Sequence, residues 1–118
     1  MIETKSILKD IREAVGLGED VSDFDTEVLM HINAALVMLN QNGVCLPVIV
    51  TDDTTTWGDI KDETKIEGNK AFHMVPLFVA LNTRVIFDPP PPSAVEHFSN
   101  TINMFLWRLK AAYEMETT

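Results

Sequence analysis

Cysteine is almost missing from this chain: Cys45 stands alone among 118 residues. One thiol can form neither an internal disulfide nor a cysteine-rich zinc site, and no motif around Cys45 marks it as a nucleophile. Basic residues are scarce as well. Nine Lys and Arg stand against 18 Asp and Glu, for a net charge of −9. That balance excludes nucleic-acid wrapping, which needs cations to displace counterions, and it favours solubility. No apolar run reaches the ~18 to 20 residues of a membrane span, because His73, Asn82 and Arg84 interrupt the longest one. The opening MIETKSILKD lacks the basic, apolar, small-residue progression of a signal peptide, so synthesis and use in a cytoplasm are expected.

Catalytic patterns are equally sparse. His31, His73 and His97 fall on three different predicted helices, and none stands in an H-E-x-x-H or H-x3-H spacing that sets two ligands on one face. Each reads as a satisfied or solvent-facing histidine, with a chance metal cluster as the alternative. The carboxylates are scattered along loops and polar faces, with no visible pairing for acid–base work. Ser6, Ser22, Ser93 and Ser99 have no G-x-S-x-G around them. Gly16-Leu17-Gly18 follows a helix rather than a strand, the wrong setting for a phosphate loop. The sequence predicts no enzyme, no metal and no cofactor.

What is present is a well-patterned helical chain. The 46% apolar and 23% charged fractions are those of a globular protein, and 118 residues make one domain. The expected fold is all-α: four main helices near 3–15, 23–42, 69–87 and 94–115, plus a short helical turn near 57–61. The helix over 69–87 is the organising post. Phe72, Val75, Val79 and Ile86 lie on one side, while Met74, Leu77, Phe78, Leu81 and Val85 cover much of the rest. So little polar surface predicts burial on most sides. Pro76 predicts a kink near Phe72–Pro76, because the Phe72 carbonyl loses its helical donor. Thr64-x-x-Glu67 and Gly68-Asn69 are two candidate starts for this helix.

A rigid corner follows. Asp88 precedes Pro89, Pro90, Pro91 and Pro92, and such a run forms a stiff polyproline II joint. Ser93, with Glu96 three residues on, reads as a capping box opening the last helix.

The first helix shows a core stripe of Ile7, Leu8, Ile11, Ala14 and Val15, with Lys5, Lys9, Asp10, Arg12 and Glu13 facing away. Gly16 and Gly18 end it. Ser22 or Asp23 is the expected cap of the second helix, with Asp25 and Glu27 in its first turn. Its core stripe is Phe24, Val28, Ile32, Ala35, Leu36 and Leu39, and Gly43 ends it. Val44 to Thr56 is a long irregular segment. Val48, Ile49 and Val50 have strand chemistry but no obvious partner strand inside the chain, so a lone strand or an extended loop is expected. Asp52-Asp53 before three threonines reads as a turn, Thr56-x-x-Asp59 as a helix start, and Trp57 as an anchor.

The surplus is apolar. In the last helix Val95, Phe98, Ile102, Phe105, Leu106, Leu109 and Tyr113 form a core stripe. Trp107 lies on the far side with Met104, Ala111 and Met115, and the second helix carries Met30, Ala34 and Val37 opposite its own core. Either these faces pack inside the chain or they meet a partner, since exposed Trp and Met patches mark interfaces. The expected interface set is Met30, Val37, Val48, Ile49, Val50, Met104, Trp107 and Met115.

An apolar helix ending Arg84-Val85-Ile86-Phe87-Asp88-Pro89-Pro90, then a helix carrying Leu106-Trp107-Arg108-Leu109, resembles the head–tail connector (adaptor) proteins of long-tailed bacteriophages. Asp25-x-Glu27 to Ile32-Asn33-Ala34-Ala35, the Gly43-Val44 exit and Thr56-Trp57 are similar to theirs as well. Four consecutive prolines and Pro76 depart from the usual pattern. The resemblance implies a small α-helical structural protein, not an enzyme, in a ring (a dodecamer in the virion) beneath the portal. It implies the portal and the stopper or tail-completion protein as partners. DNA would pass through without sequence-specific binding, and assembly would take place in the bacterial host cytoplasm. The alternative is a small helical homo-oligomeric binding or regulatory module without catalytic activity.

Overall fold

The computed structural model describes residues 4–18, 20–46, 49–87 and 89–115. It contains helices α1 (Ile7–Ala14), α2 (Asp25–Gln41), α3 (Ile66–Lys70), α4 (Met74–Phe87) and α5 (Pro92–Glu114), with a 3-10 turn at Gly58–Ile60. The predicted all-α class holds: among the described residues, β-pairing is limited to one isolated antiparallel bridge, Ser6 with Thr56. Helix α4 packs against α1, α2 and α5, while α1 packs on α2 and α3 on α5. The post expected over 69–87 is therefore central, but its N-terminal part is a separate element.

The reason is Pro76. A continuous helix would need an N–H at residue 76 for the Phe72 carbonyl, and proline has none. The chain turns instead, and Val75 N–H donates to the Phe72 carbonyl at 2.9 Å while Met74 N–H donates to Ala71 at 3.0 Å. Pro76 then falls in the first turn of α4, where a helical N–H has no partner anyway. The expected kink is a full break. Neither expected start is used, because α3 opens after Lys65 and Thr64 bonds to the Asp62 carboxylate instead.

Both glycine stops are as expected. After α1, Gly16 (φ 87°) donates to Glu13 and Leu17 donates to Arg12; after α2, Gly43 (φ 88°) donates to Asn40 and Val44 to Leu39. These are paired Schellman closures, in which the positive φ favours glycine. The helix starts differ. Ser6 caps α1 by accepting from Lys9 N–H. Neither Ser22 nor Asp23 caps α2; Phe24 holds that position without a side-chain bond.

At the proline corner, Pro91 is extended (φ −54°, ψ 148°) and Pro92 is already the first residue of α5. Proline suits that position because its φ is preset and its missing N–H is not needed. Ser93 is thus inside the helix and makes no cap bond. The joint comprises Pro89 to Pro91, with Pro90 buried; Asp88 lies outside the described residues.

The core gathers Ile7, Leu8, Ile11, Val28, Ile32, Leu39, Trp57, Ile60, Val75, Phe78, Val79 and Leu109. Five expectations shift. Ala14, at the end of α1, is exposed rather than part of its core stripe. Arg12 is buried rather than outward, because its Nε donates to Asp25 Oδ1 at 2.9 Å and its Nη2 pairs with the second carboxylate oxygen. Phe24 is half-exposed, set edge-on against Phe87. Leu77 and Ile86 of α4 are exposed, so the post shows solvent one edge and its C-terminal end. In α5 only Leu109 and Tyr113 are fully buried, and Val95 is exposed, because the N-terminal half extends past the core.

Candidate interaction surfaces

The segment after α2 is fixed by that helix. Asn33 of α2 donates from its amide to the Val50 carbonyl at 2.7 Å, and its oxygen accepts from Val50 N–H at 3.0 Å. One turn pair later Asn40 accepts from Leu46 N–H at 2.8 Å. Seven residues apart, the two amides share a helix face and supply the backbone partners that a strand would otherwise give. Val50 is buried by this clamp, so it is not available to a partner, contrary to its expected place in the interface. Ile49 beside it is 73% exposed. Val48 and Pro47 lie outside the described residues.

Beyond the clamp, Asp52 accepts from both the N–H and hydroxyl of Thr54. These bonds hold the Asp52 carboxyl below its ordinary value, and Thr64 does the same to Asp62. Thr56 and Asp59 form a reciprocal capping box. Trp57, fully buried, donates its indole N–H to Asp10 Oδ2 at 2.8 Å. Asp10 also meets Lys5 Nζ at 3.2 Å, and Lys5 is held above its ordinary value by hydrogen bonds to Asp10 and Glu13. The loop is thus anchored at both ends, with Ile49 held outward near one of them.

Two apolar stripes are left uncovered on the helices. On α5, Trp107 is 72% exposed, and Met104, Ala111 and Met115 are exposed beside it. A shallow groove there is lined by Trp107, Lys110, Ala111 and Glu114. On α2, Met30 is 65% and Val37 51% exposed, with Ala34 exposed between them. The intramolecular alternative for Trp107 is excluded in this structure, since α5 packs only its opposite side, on α3 and α4. These stripes, Ile49 and the corner do not converge on one pocket; they are separate surfaces.

The histidines do not gather. His31 is 4.0 Å from Glu27, His73 is exposed, and His97 leans on Phe98. Among the described residues no group of three His, Cys, Asp or Glu side chains is placed to hold a metal, and no helix is long and apolar enough to cross a membrane. Cys45 is exposed.

Asn33 and Asn40 escape a reading by hydrophobic period. Their signal is the seven-residue spacing of two poor helix formers just before an irregular segment.

A family model described as "Phage connector protein" matches residues 7–116. No curated protein and no solved structure matches the chain.

Proposed function

This chain belongs to the phage connector protein family, and from that premise we propose that it forms a ring between the portal and the stopper or tail-completion protein. The family is a structural one of the head–tail junction, and its members work with other head and tail proteins of the virion. In the proposed ring the chain extends the DNA channel below a filled head. It has no catalytic role there. The observation that carries this reading, beside the family, is the pair of uncovered apolar stripes on α2 and α5. A monomer that buries Trp57, Phe78 and Leu109 completely has no stability reason to leave Trp107 in water.

The charge fits the same role. A channel contributed by a chain of net charge −9 makes few counterion-releasing contacts, so DNA slides without being held. The decisive measurement is the mass of the purified protein, alone and with its cognate portal. A defined ring on the portal is the expected result. A fixed small oligomer with no affinity for portal would favour a free-standing regulatory module instead.

A further inference from the structure

The two uncovered stripes differ in kind and lie on different helices. On α2 the stripe Glu27–Met30–Ala34–Val37 lies opposite the buried side, Val28, Ile32, Ala35, Leu36 and Leu39. On α5 the stripe Met104–Trp107–Ala111–Met115 lies opposite Leu109 and Tyr113. Helix α4 packs against both helices, while α2 and α5 do not form a packed pair. Each stripe therefore points away from the core on its own helix, and the two belong to separate surfaces.

Resting on the connector reading, we propose that the α5 stripe of one copy docks on the α2 stripe of the next, a head-to-tail contact. Three observations choose a second copy as the occupant. First, two separate and unlike patches on one chain can generate a heterologous contact that repeats around a ring, whereas a two-fold dimer needs one self-complementary patch. Second, the side chains differ in size: Trp107 presents a large exposed ring, and the α2 stripe offers small Ala34 between Met30 and Val37. Third, the charges are complementary. Arg108 and Lys110 flank Trp107, two of only nine basic residues in the chain, with one carboxylate, Glu114, in the groove beside them, whereas the α2 stripe ends at Glu27 in a first turn that also holds Asp25. No ion pair among the described residues includes Arg108 or Lys110. Like faces brought together would set these cations against each other; unlike faces pair them with carboxylates.

Cysteine cross-linking in a Cys45→Ser background tests the pairing. Ala34→Cys and Ala111→Cys chains, one of them carrying a size tag, are mixed and oxidised, both free at high concentration and bound to portal. Both sites are exposed alanines, so folding is unaffected, which circular dichroism checks. The expected product is the disulfide between unlike chains, in excess over either like pair and over a Glu13→Cys control. Adding Trp107→Glu to the Ala111→Cys chain is expected to cut that product by on the order of tenfold with the melting temperature unchanged. Like-with-like disulfides in excess would overturn the proposal in favour of a two-fold contact. No cross-link above control, with portal binding intact, would overturn it and leave the connector reading standing. Loss of portal binding by the unmodified chain would instead defeat the connector reading.

Discussion

Gly68 of α3 lies against the ring of Tyr113 of α5 so closely that a Cβ on it would stand 2.9 Å from three ring carbons. Its backbone is ordinary helix, so the glycine is there for space, not for φ. The contact seats the short α3 on the C-terminal half of α5, the same half whose far side carries Trp107. Gly68→Ala should be destabilising: overpacking costs ~1 to 3 kcal/mol, against ~0.5 to 1 kcal/mol gained in helix propensity. A lower melting temperature is expected, with partial recovery in Gly68→Ala/Tyr113→Leu. A rise in the single variant would mean that the ring simply moves aside.

Trp57 joins the loop to α1 in two ways, by volume and by its bond to Asp10. Trp57→Phe keeps most of the volume and should cost ~0.5 to 3 kcal/mol, as one hydrogen bond to a charged group is lost. Trp57→Ala should cost ~3 to 5 kcal/mol. Urea denaturation separates the two: a Trp57→Phe chain as stable as the parent would show that the bond to Asp10 contributes nothing, and equal losses would show that volume adds nothing beyond the bond.

The Asn33 clamp predicts a local effect. Asn33→Ala leaves the N–H and carbonyl of Val50 without their side-chain partners, at ~1 to 3 kcal/mol for each group kept from water. Amide exchange should accelerate around residues 49–56 while α2 and α4 keep their protection. Uniform acceleration throughout would place the effect in global stability instead.

Asp52 and Asp62 give the acid response a sign. Their carboxyls titrate below the ordinary value because Thr54 and Thr64 bond to the ionised form. The stabilisation is fully present above the unfolded-state value and is lost as pH falls through the depressed folded values. Carboxyl NMR titrations of Thr54→Val should show Asp52 moving up toward its ordinary range with Asp62 unchanged. A stationary Asp52 would assign its depression to another cause.

The corner predicts a stability loss without loss of helix. Replacing Pro91 and Pro92 by glycine should lower stability by ~0.4 to 1 kcal/mol per site through the unfolded chain, plus the loss of a preset first helical residue at 92. Thermal melts with unchanged far-ultraviolet circular dichroism are expected. An unmoved melting temperature would mean that the corner adds no rigidity.

The helical class, the two glycine stops, the central position of the segment ending at Phe87 and the place of Trp107 opposite the core stripe of its own helix are all written in the sequence, although that the Trp107 face stays uncovered is not. All of these follow from local rules: a 3.6-residue period, the φ > 0 that glycine allows, and the angular separation of Trp107 from Leu109 and Tyr113 along one helix. Even the break at Phe72–Pro76 was marked by Pro76, although the extent of the turn depended on Val75 being free to serve the Phe72 carbonyl. Where the polar side chains go depends on contacts between elements. Arg12 looked outward until Asp25, thirteen residues on, came within bonding distance and made its burial tolerable. Val50 looked like interface until Asn33 bound both of its backbone groups. Ser93 and Glu96 had the spacing of a capping box, and Pro92 took the start of the helix first. Hydrophobic periodicity is written along one element, whereas the partner of a charge or an amide lies on another, and the distance between them exists only once the chain has folded.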